Sequence, residues 1–291
     1  MLTSVEKGKN MKIKVKEMSD IDYEKVNKLI DFEDADAEFL TAYNNREENI
    51  YCLYNYDKLV GIAQIITNKR AFLYIFINPS YRGNGIGFNA LKLCEEKLYE
   101  NDIEQIMTTY RIDNPYSKAF ANKHGYTRKF SSVYMRYSGS QFDVQELFIR
   151  NYCDDDYESA HEMYAKAFHE MRISVGDFPD SVIEQPNDKM RQYWAETSNE
   201  RLVYIRNSEI VGYAHIDGNE IGSVSVKSQK QGQGIGRSFV KYICNKILAE
   251  GNEAVFLYCV AGNRAKSLYD SLGFQEIYTC EYATKLNSLN I

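Results

Sequence analysis

The chain reads as an α/β protein made of two tandem units. Three observations lead there: strand-like and helix-like runs alternate, a glycine-rich turn occurs twice, and the segments flanking the two turns match in the same order. The turns are Arg82-Gly83-Asn84-Gly85-Ile86-Gly87 and Gln231-Gly232-Gln233-Gly234-Ile235-Gly236, an offset of 231 − 82 = 149 residues.

Each copy opens with a short alternating strand, an acidic cap cluster and an amphipathic helix: KIKVKEMSDIDYEKVNKLI from Lys12 and ELFIRNYCDDDYESAHEMY from Glu146. Here the offset is 157 − 23 = 134, so the second copy carries 149 − 134 = 15 extra residues, which fall in the polar stretch His169 to Trp194. After each glycine turn comes a helical run, Leu91 to Tyr99 in the first copy. In the second, Phe239, Val240, Ile243, Ile247 and Leu248 form the apolar stripe, and Gly251 stops the helix. A strand follows (IEQIMTTY from Ile103, AVFLYCV from Ala254). Next comes an Asn-led helix ending in Gly-aromatic (NPYSKAFANKHGY from Asn114, NRAKSLYDSLGF from Asn263), then a closing strand (SSVYMRY from Ser131, EIYTCEYA from Glu276). The polar segment SGSQFD marks the boundary, giving a leader at residues 1–10 and units at 11–142 and 143–291.

Bulk properties narrow the partners. The 291 residues carry a net charge of −6, which gives no footprint for a nucleic-acid backbone and leans towards a cationic substrate. The N-terminus has no apolar core and no run is long enough for a membrane span, so a cytoplasmic protein is expected. Six cysteines without a CxxC pair and four scattered histidines predict reduced thiols and no metal site.

A strand, a glycine turn and a helix N-terminus together make an anion site, because glycines let the backbone approach a phosphate and the first helical amides point at it. A Walker A loop would end in Gly-Lys-Ser/Thr, and neither copy does. A dinucleotide fingerprint fits Gly85, Gly87 and Ala90 but fails in the second copy, where Phe239 takes the third position. The pattern Q/R-x-x-G-x-G fits both turns. With the N-x-x-A-x-x-L-Y-x-x-x-G-F helix at Asn263 to Phe274, it resembles the GNAT superfamily of acyl-CoA-dependent N-acyltransferases, and the resemblance covers essentially the whole chain as a tandem pair.

That resemblance implies, in each unit, a mixed, splayed central sheet flanked by helices, with the splay between the strands equivalent to Glu220–Val226 and Ala254–Val260. It implies acetyl-CoA as co-substrate, with its pyrophosphate on the amides of Gln231, Gly232, Gln233, Gly234, Ile235 and Gly236, Arg237 alongside, and Asn263 next to the pantetheine. Val226, on a bulged strand, would polarise the thioester carbonyl through its amide. The first turn, Arg82, Gly83, Asn84, Gly85, Ile86 and Gly87, is intact and is expected to bind the same group.

Acyl transfer to an amine needs a base for the ammonium proton and benefits from an acid for the departing thiolate. The family's common acid position, the Y of L-Y-x-x-x-G-F, is Tyr269, and its common base position, eleven residues before the Q/R, is Glu220. The first copy has Ala121 and Ala71 at these places, so the second copy is expected to be the enzyme. His215 is the alternative base, and Cys259 a remote alternative as nucleophile. The expected acceptor is a small-molecule primary amine, cationic because Glu170, Asp177, Asp180, Glu184 and Asp188 outnumber the bases of the extra segment. Two alternatives stay open: an acyl-CoA sensor without turnover, and a protein or peptide acetyltransferase whose first unit recognises the acceptor.

Overall fold

The computed structural model describes residues 2–5, 12–30, 43, 49–67, 71–101 and 103–287. Its contacts divide the chain into unit 1 (residues 1–129 and 280–291) and unit 2 (residues 130–279).

Unit 1 holds strands β1 (Leu2–Val5), β2 (Lys12–Glu17), β3 (Ile50–Asn55), β4 (Lys58–Thr67), β5 (Ala71–Ile77) and β6 (Gln105–Arg111), paired in that order. Residues 1–10 were expected to be a leader, yet Leu2–Val5 pairs antiparallel with β2. The helices of this unit are α1 (Asp20–Asn27), α2 (Ile86–Glu100) and α3 (Pro115–Lys123). The apolar stripe of α2, including Ile86, Ala90, Cys94 and Leu98, is buried on the sheet. Asn114 starts α3 by accepting the amides of Tyr116 and Ser117, with Pro115 in the first turn where its missing N–H costs nothing.

Unit 2 repeats the plan with β8 (Ile149–Asn151), β9 (Arg201–Arg206), β10 (Glu209–Asp217), β11 (Glu220–Val226) and β12 (Val255–Val260). Its helices are α4 (Tyr157–Val175), α5 (Asp188–Glu196), α6 (Ile235–Ala249) and α7 (Ala265–Ser271). One face of this sheet packs on the buried stripe of α6, Phe239, Val240, Ile243, Cys244 and Ile247. The other packs on α4 and α5 through Tyr157, Met163, Trp194 and Tyr213, the last two rings stacked 4.5 Å apart.

Among the described residues, β5–β6 and β11–β12 pair in parallel, and each of these ladders is short. Ala71 and Phe72 pair with Ile106 and Met107, Glu220 and Ile221 pair with Phe256 and Leu257, and then the strands separate. This is the splay expected from the resemblance.

The closing strands sit where the linear order did not put them. Expected to complete their own copies on either side of residue 142, they are exchanged. β7 (Thr127–Tyr137) contributes residues 130–137 to unit 2, where Val255–Val260 of β12 pairs with Ser132–Tyr137. β13 (Gln275–Leu286) contributes Cys280–Leu286 to unit 1, paired with β6.

Buried charge explains the exchange. The Glu281 carboxylate, 4% exposed, accepts the Tyr110 hydroxyl at 2.6 Å and lies 3.1 Å from the Lys118 ammonium. The Lys285 ammonium donates to Glu95 at 2.7 Å, and Tyr126 donates to the same carboxylate at 2.9 Å. At the positions matching Tyr110 and Glu95, unit 2 has Cys259 and Cys244, both buried in its apolar cluster. There, Glu281 would meet a thiol in place of the Tyr110 hydroxyl and Lys285 a thiol in place of the Glu95 carboxylate, whereas Val133 and Tyr137 of β7 fit. Replacing Glu281 with Ala should therefore cost roughly 3 kcal/mol, read as a lower midpoint in urea unfolding.

Candidate active site

Both glycine turns adopt one backbone conformation. Gly83 and Gly85 have φ of 77° and 81°, and Gly232 and Gly234 have 76° and 80°, in the left-handed region that only glycine enters without strain. Gly85 and Gly234 are the N-caps of α2 and α6, leaving the first-turn amides of those helices directed outwards. The Q/R position has a structural task that sequence reasoning missed. Arg82 Nε donates to Ile77 O at 2.7 Å and Gln231 Nε2 to Val226 O at 3.1 Å, tying each turn to the last residue of its strand. Arg237 leaves the turn for α7, donating to Ser271 Oγ at 2.6 Å. Asn263 holds the start of α7, its Oδ1 accepting the Ala265 amide at 2.9 Å.

The gap between β11 and β12 offers backbone amides. The Lys227 amide bonds back to Val211 O. By the alternation of an antiparallel ladder, Ser225 and Ser223 then bond towards β10, while the amides of Val224 and Val226 face the gap. The same reasoning from Asn78 N to Val60 O directs Ile75 and Ile77 into the gap of unit 1. A narrow extended chain bearing amides, such as pantetheine, fits this edge, and the turn beyond it fits a pyrophosphate.

β11 carries the expected bulge, and it falls at Gly222: the register against β10 shifts between His215 and Ile216. This bulge has a consequence for Glu220. Val224, Val226 and Ile221 all pack in the α6 cluster, so the extra residue turns Glu220 to the opposite, open face. β5 pairs with β4 without any bulge, and Ala71 lies on the core face. Counting residues matches Glu220 with Ala71, but the two side chains emerge on opposite faces.

The site residues separate accordingly. Tyr269 is half-buried on the α6 side, its ring 5.7 Å from Phe274. Burial, with the Cys259 and Cys244 thiols nearby, pushes its phenol well above the ordinary value, so it is a protonated donor at neutral pH. Glu220 lies on the far face, where its charge, after burial, helps to raise the Tyr134 phenol. Tyr269 and Glu220 thus lie on opposite sides of the unit 2 sheet. Val226 lies six residues beyond Glu220, roughly 20 Å along the strand, beside the glycine turn.

His215 shares the open face with Glu220, its Nε2 3.4 Å from Glu200 Oε2. Burial and the Arg201 charge lower its pKa, which keeps the imidazole neutral and able to accept a proton. Its ring lies over Gly222, where an added Cβ would come within 2.9 Å of Nδ1. Cys259 points into the core, its thiol pushed up to about 11 by burial, so it is no activated nucleophile.

In unit 1 the splay is an open cavity of about 670 Å³, walled by Leu73–Ile77 and Thr108–Arg111 and reaching the glycine turn. Ala121 lines it. The amide of Tyr126 bonds to Ala121 O as that of Phe274 bonds to Tyr269 O, so Ala121 and Tyr269 are true structural equivalents. The volume filled by a phenol in unit 2 is left open in unit 1. Among the described residues no cluster of His, Cys, Asp and Glu suits a metal ion, and no helix is long and apolar enough to cross a membrane.

Comparisons with known proteins agree with this architecture. An Acetyltransferase (GNAT) family model matches residues 15–126, and an Acetyltransferase (GNAT) domain model matches residues 160–285. A comparison with curated proteins finds no match. Among solved structures, a GCN5-related N-acetyltransferase from Sphaerobacter thermophilus has a TM-score of 0.73 at 18% identity, over 94% of this chain and 95% of that one. A tandem GNAT protein from the clavulanic acid biosynthesis pathway has a TM-score of 0.65 at 14% identity, over 94% and 98%. A glucosamine N-acetyltransferase region of a fungal multi-domain β-N-acetylglucosaminidase has a TM-score of 0.67 at 13% identity, over 94% of this chain and 38% of that one. The chain belongs to the GNAT acetyltransferase family, as a tandem two-domain member.

Because Gly234 holds a φ of 80°, Gly234→Ala should cost about 1 kcal/mol in thermal unfolding even though nothing crowds the added methyl.

Proposed function

We propose that unit 2 is an acetyl-CoA-dependent N-acetyltransferase that modifies a primary amine of a small molecule by direct attack in a ternary complex, in the cytoplasm. One observation carries this reading: the bulge at Gly222 delivers Glu220 to one face of the splay while Tyr269 stands on the other. Acetyl-CoA supplies the acetyl group as an activated thioester. The turn Gln231 to Gly236 receives its pyrophosphate on backbone amides, with Arg237 and Asn263 alongside, and the amides of Val224 and Val226 pair with the pantetheine. Glu220 takes the ammonium proton of the acceptor and so frees its lone pair for attack on the carbonyl. Tyr269 gives its proton to the sulfur as the carbon–sulfur bond breaks, and the second proton that the nitrogen sheds on becoming an amide returns through solvent to the phenolate. His215, neutral and oriented by Glu200, is the second base on that face.

Unit 1 carries neither group. Its Arg82 to Gly87 turn and 670 Å³ cavity support binding of an acyl-CoA without turnover. This keeps a sensor-like role within the same molecule.

The test is release of CoA thiol from acetyl-CoA across amines, amino sugars, polyamines and lysine peptides. Tyr269→Phe should lower kcat about tenfold or more with the preferred amine, because a proton donated only in the transition state is lost. The raised phenol pKa places Tyr269 ionisation above pH 10, so this ratio should stay constant from pH 7 to pH 9. Unchanged turnover in Tyr269→Phe would overturn the division of labour between the units.

A further inference from the structure

We propose that the acceptor of unit 2 binds as its ammonium ion over a tray of aromatic rings beside Glu220, which selects alkyl or ring amines lacking an adjacent anionic group. The chemistry of this proposal rests on the acetyltransferase reading, but the binding does not.

The tray follows from strand alternation. Val255, Leu257 and Cys259 of β12 face the α6 core, and so do Val133 and Met135 of β7. Phe256, Tyr258 and Tyr134 therefore emerge on the open face, the face of Glu220. Tyr134 lies 4.6 Å from Tyr258, 5.4 Å from Phe256 and 5.1 Å from Tyr278, and the hydroxyls of Tyr258 and Tyr278 are 3.4 Å apart. All four rings are half-buried. The covering helices α4 and α5 are anchored on this face by Trp194 and Tyr213, and the four rings stand on β7, β12 and β13.

Such rings offer negative π-faces, and a carboxylate at their edge adds a full charge. The chain itself uses this attraction, since Arg136, opposite Phe256 in register, places its guanidinium 5.9 Å from the Phe256 centroid. The fifteen-residue addition of the second copy reaches the same face. Phe178 packs 4.9 Å from Phe130, which shares the open face of β7 with Tyr134. Asp177 and Asp180 flank Phe178 in sequence. An anionic acceptor would meet these acids and Glu220, whereas a neutral alcohol or thiol would gain nothing from the rings beyond contact area.

The test needs no turnover. Choline and its uncharged dimethylbutanol isostere are titrated against the full-length protein by calorimetry. Choline is expected to bind at least about fivefold tighter. That preference should vanish in Tyr258→Leu, survive in Tyr258→Phe and weaken in Glu220→Gln. Equal binding of the two probes overturns the proposal, and so does a preference indifferent to both Tyr258→Leu and Glu220→Gln. Should Tyr258→Leu fail to fold, the wild-type comparison and Glu220→Gln decide it. If amines release thiol while choline shows no preference, the tray falls and the acetyltransferase reading stands. If choline is preferred and no amine releases thiol, the tray stands and the acetyltransferase reading falls.

Discussion

A parallel ladder that holds for two residues and then opens is the constraint on which each unit depends. Glu220 and Ile221 engage β12, after which β11 and β12 diverge and leave a strand edge without a partner strand. Elsewhere such an edge is a liability, because unpaired amides recruit other chains. Here it is confined between two strands and ends at a helix N-terminus, which sets outward backbone amides along the edge and at the helix start close together. The glycines of the turn, the staple from Gln231 to the Val226 carbonyl and the first turn of α6 all serve to finish this one opening.

The two copies differ most where the opening meets chemistry. A single inserted residue at Gly222 changes which face Glu220 occupies, and that change separates a candidate base from the apolar core. Unit 1 has an unbroken β4–β5 register, an alanine turned to the core and Ala121 in place of a phenol. Unit 1 thus keeps the glycine turn while having Ala71 and Ala121 where unit 2 has Glu220 and Tyr269.

The exchange of closing strands depends on a different balance. β7 and β13 have the same alternation and either would satisfy the ladder of β6 or β12. The choice falls to buried polar partners, since Glu281 and Lys285 find Tyr110, Lys118, Glu95 and Tyr126 in unit 1, whereas unit 2 has the thiols of Cys259 and Cys244 at the places of Tyr110 and Glu95. Exchange of an equivalent element costs little in itself, so the desolvation of one carboxylate and one ammonium is enough to direct it.

Much of this was legible in the sequence. The repeat, the paired Q/R-x-x-G-x-G turns and the Asn-led helices are local patterns, and local backbone demands such as positive φ and capping are written in residue type. Tyr269 and Glu220 were singled out as candidates by counting from those landmarks to the positions the resemblance implies. Three things came only with the tertiary structure. The bulge that turns Glu220 is a property of two strands in register, and no single strand announces it. The exchanged strands are alike in pattern, so their partners are decided by which buried charges meet. The ring tray gathers Tyr134, Phe256, Tyr258 and Tyr278 from three strands distant in sequence, and only pairing brings those faces together. Residue type determined the turns and the chemistry available; register and burial decided where that chemistry stands.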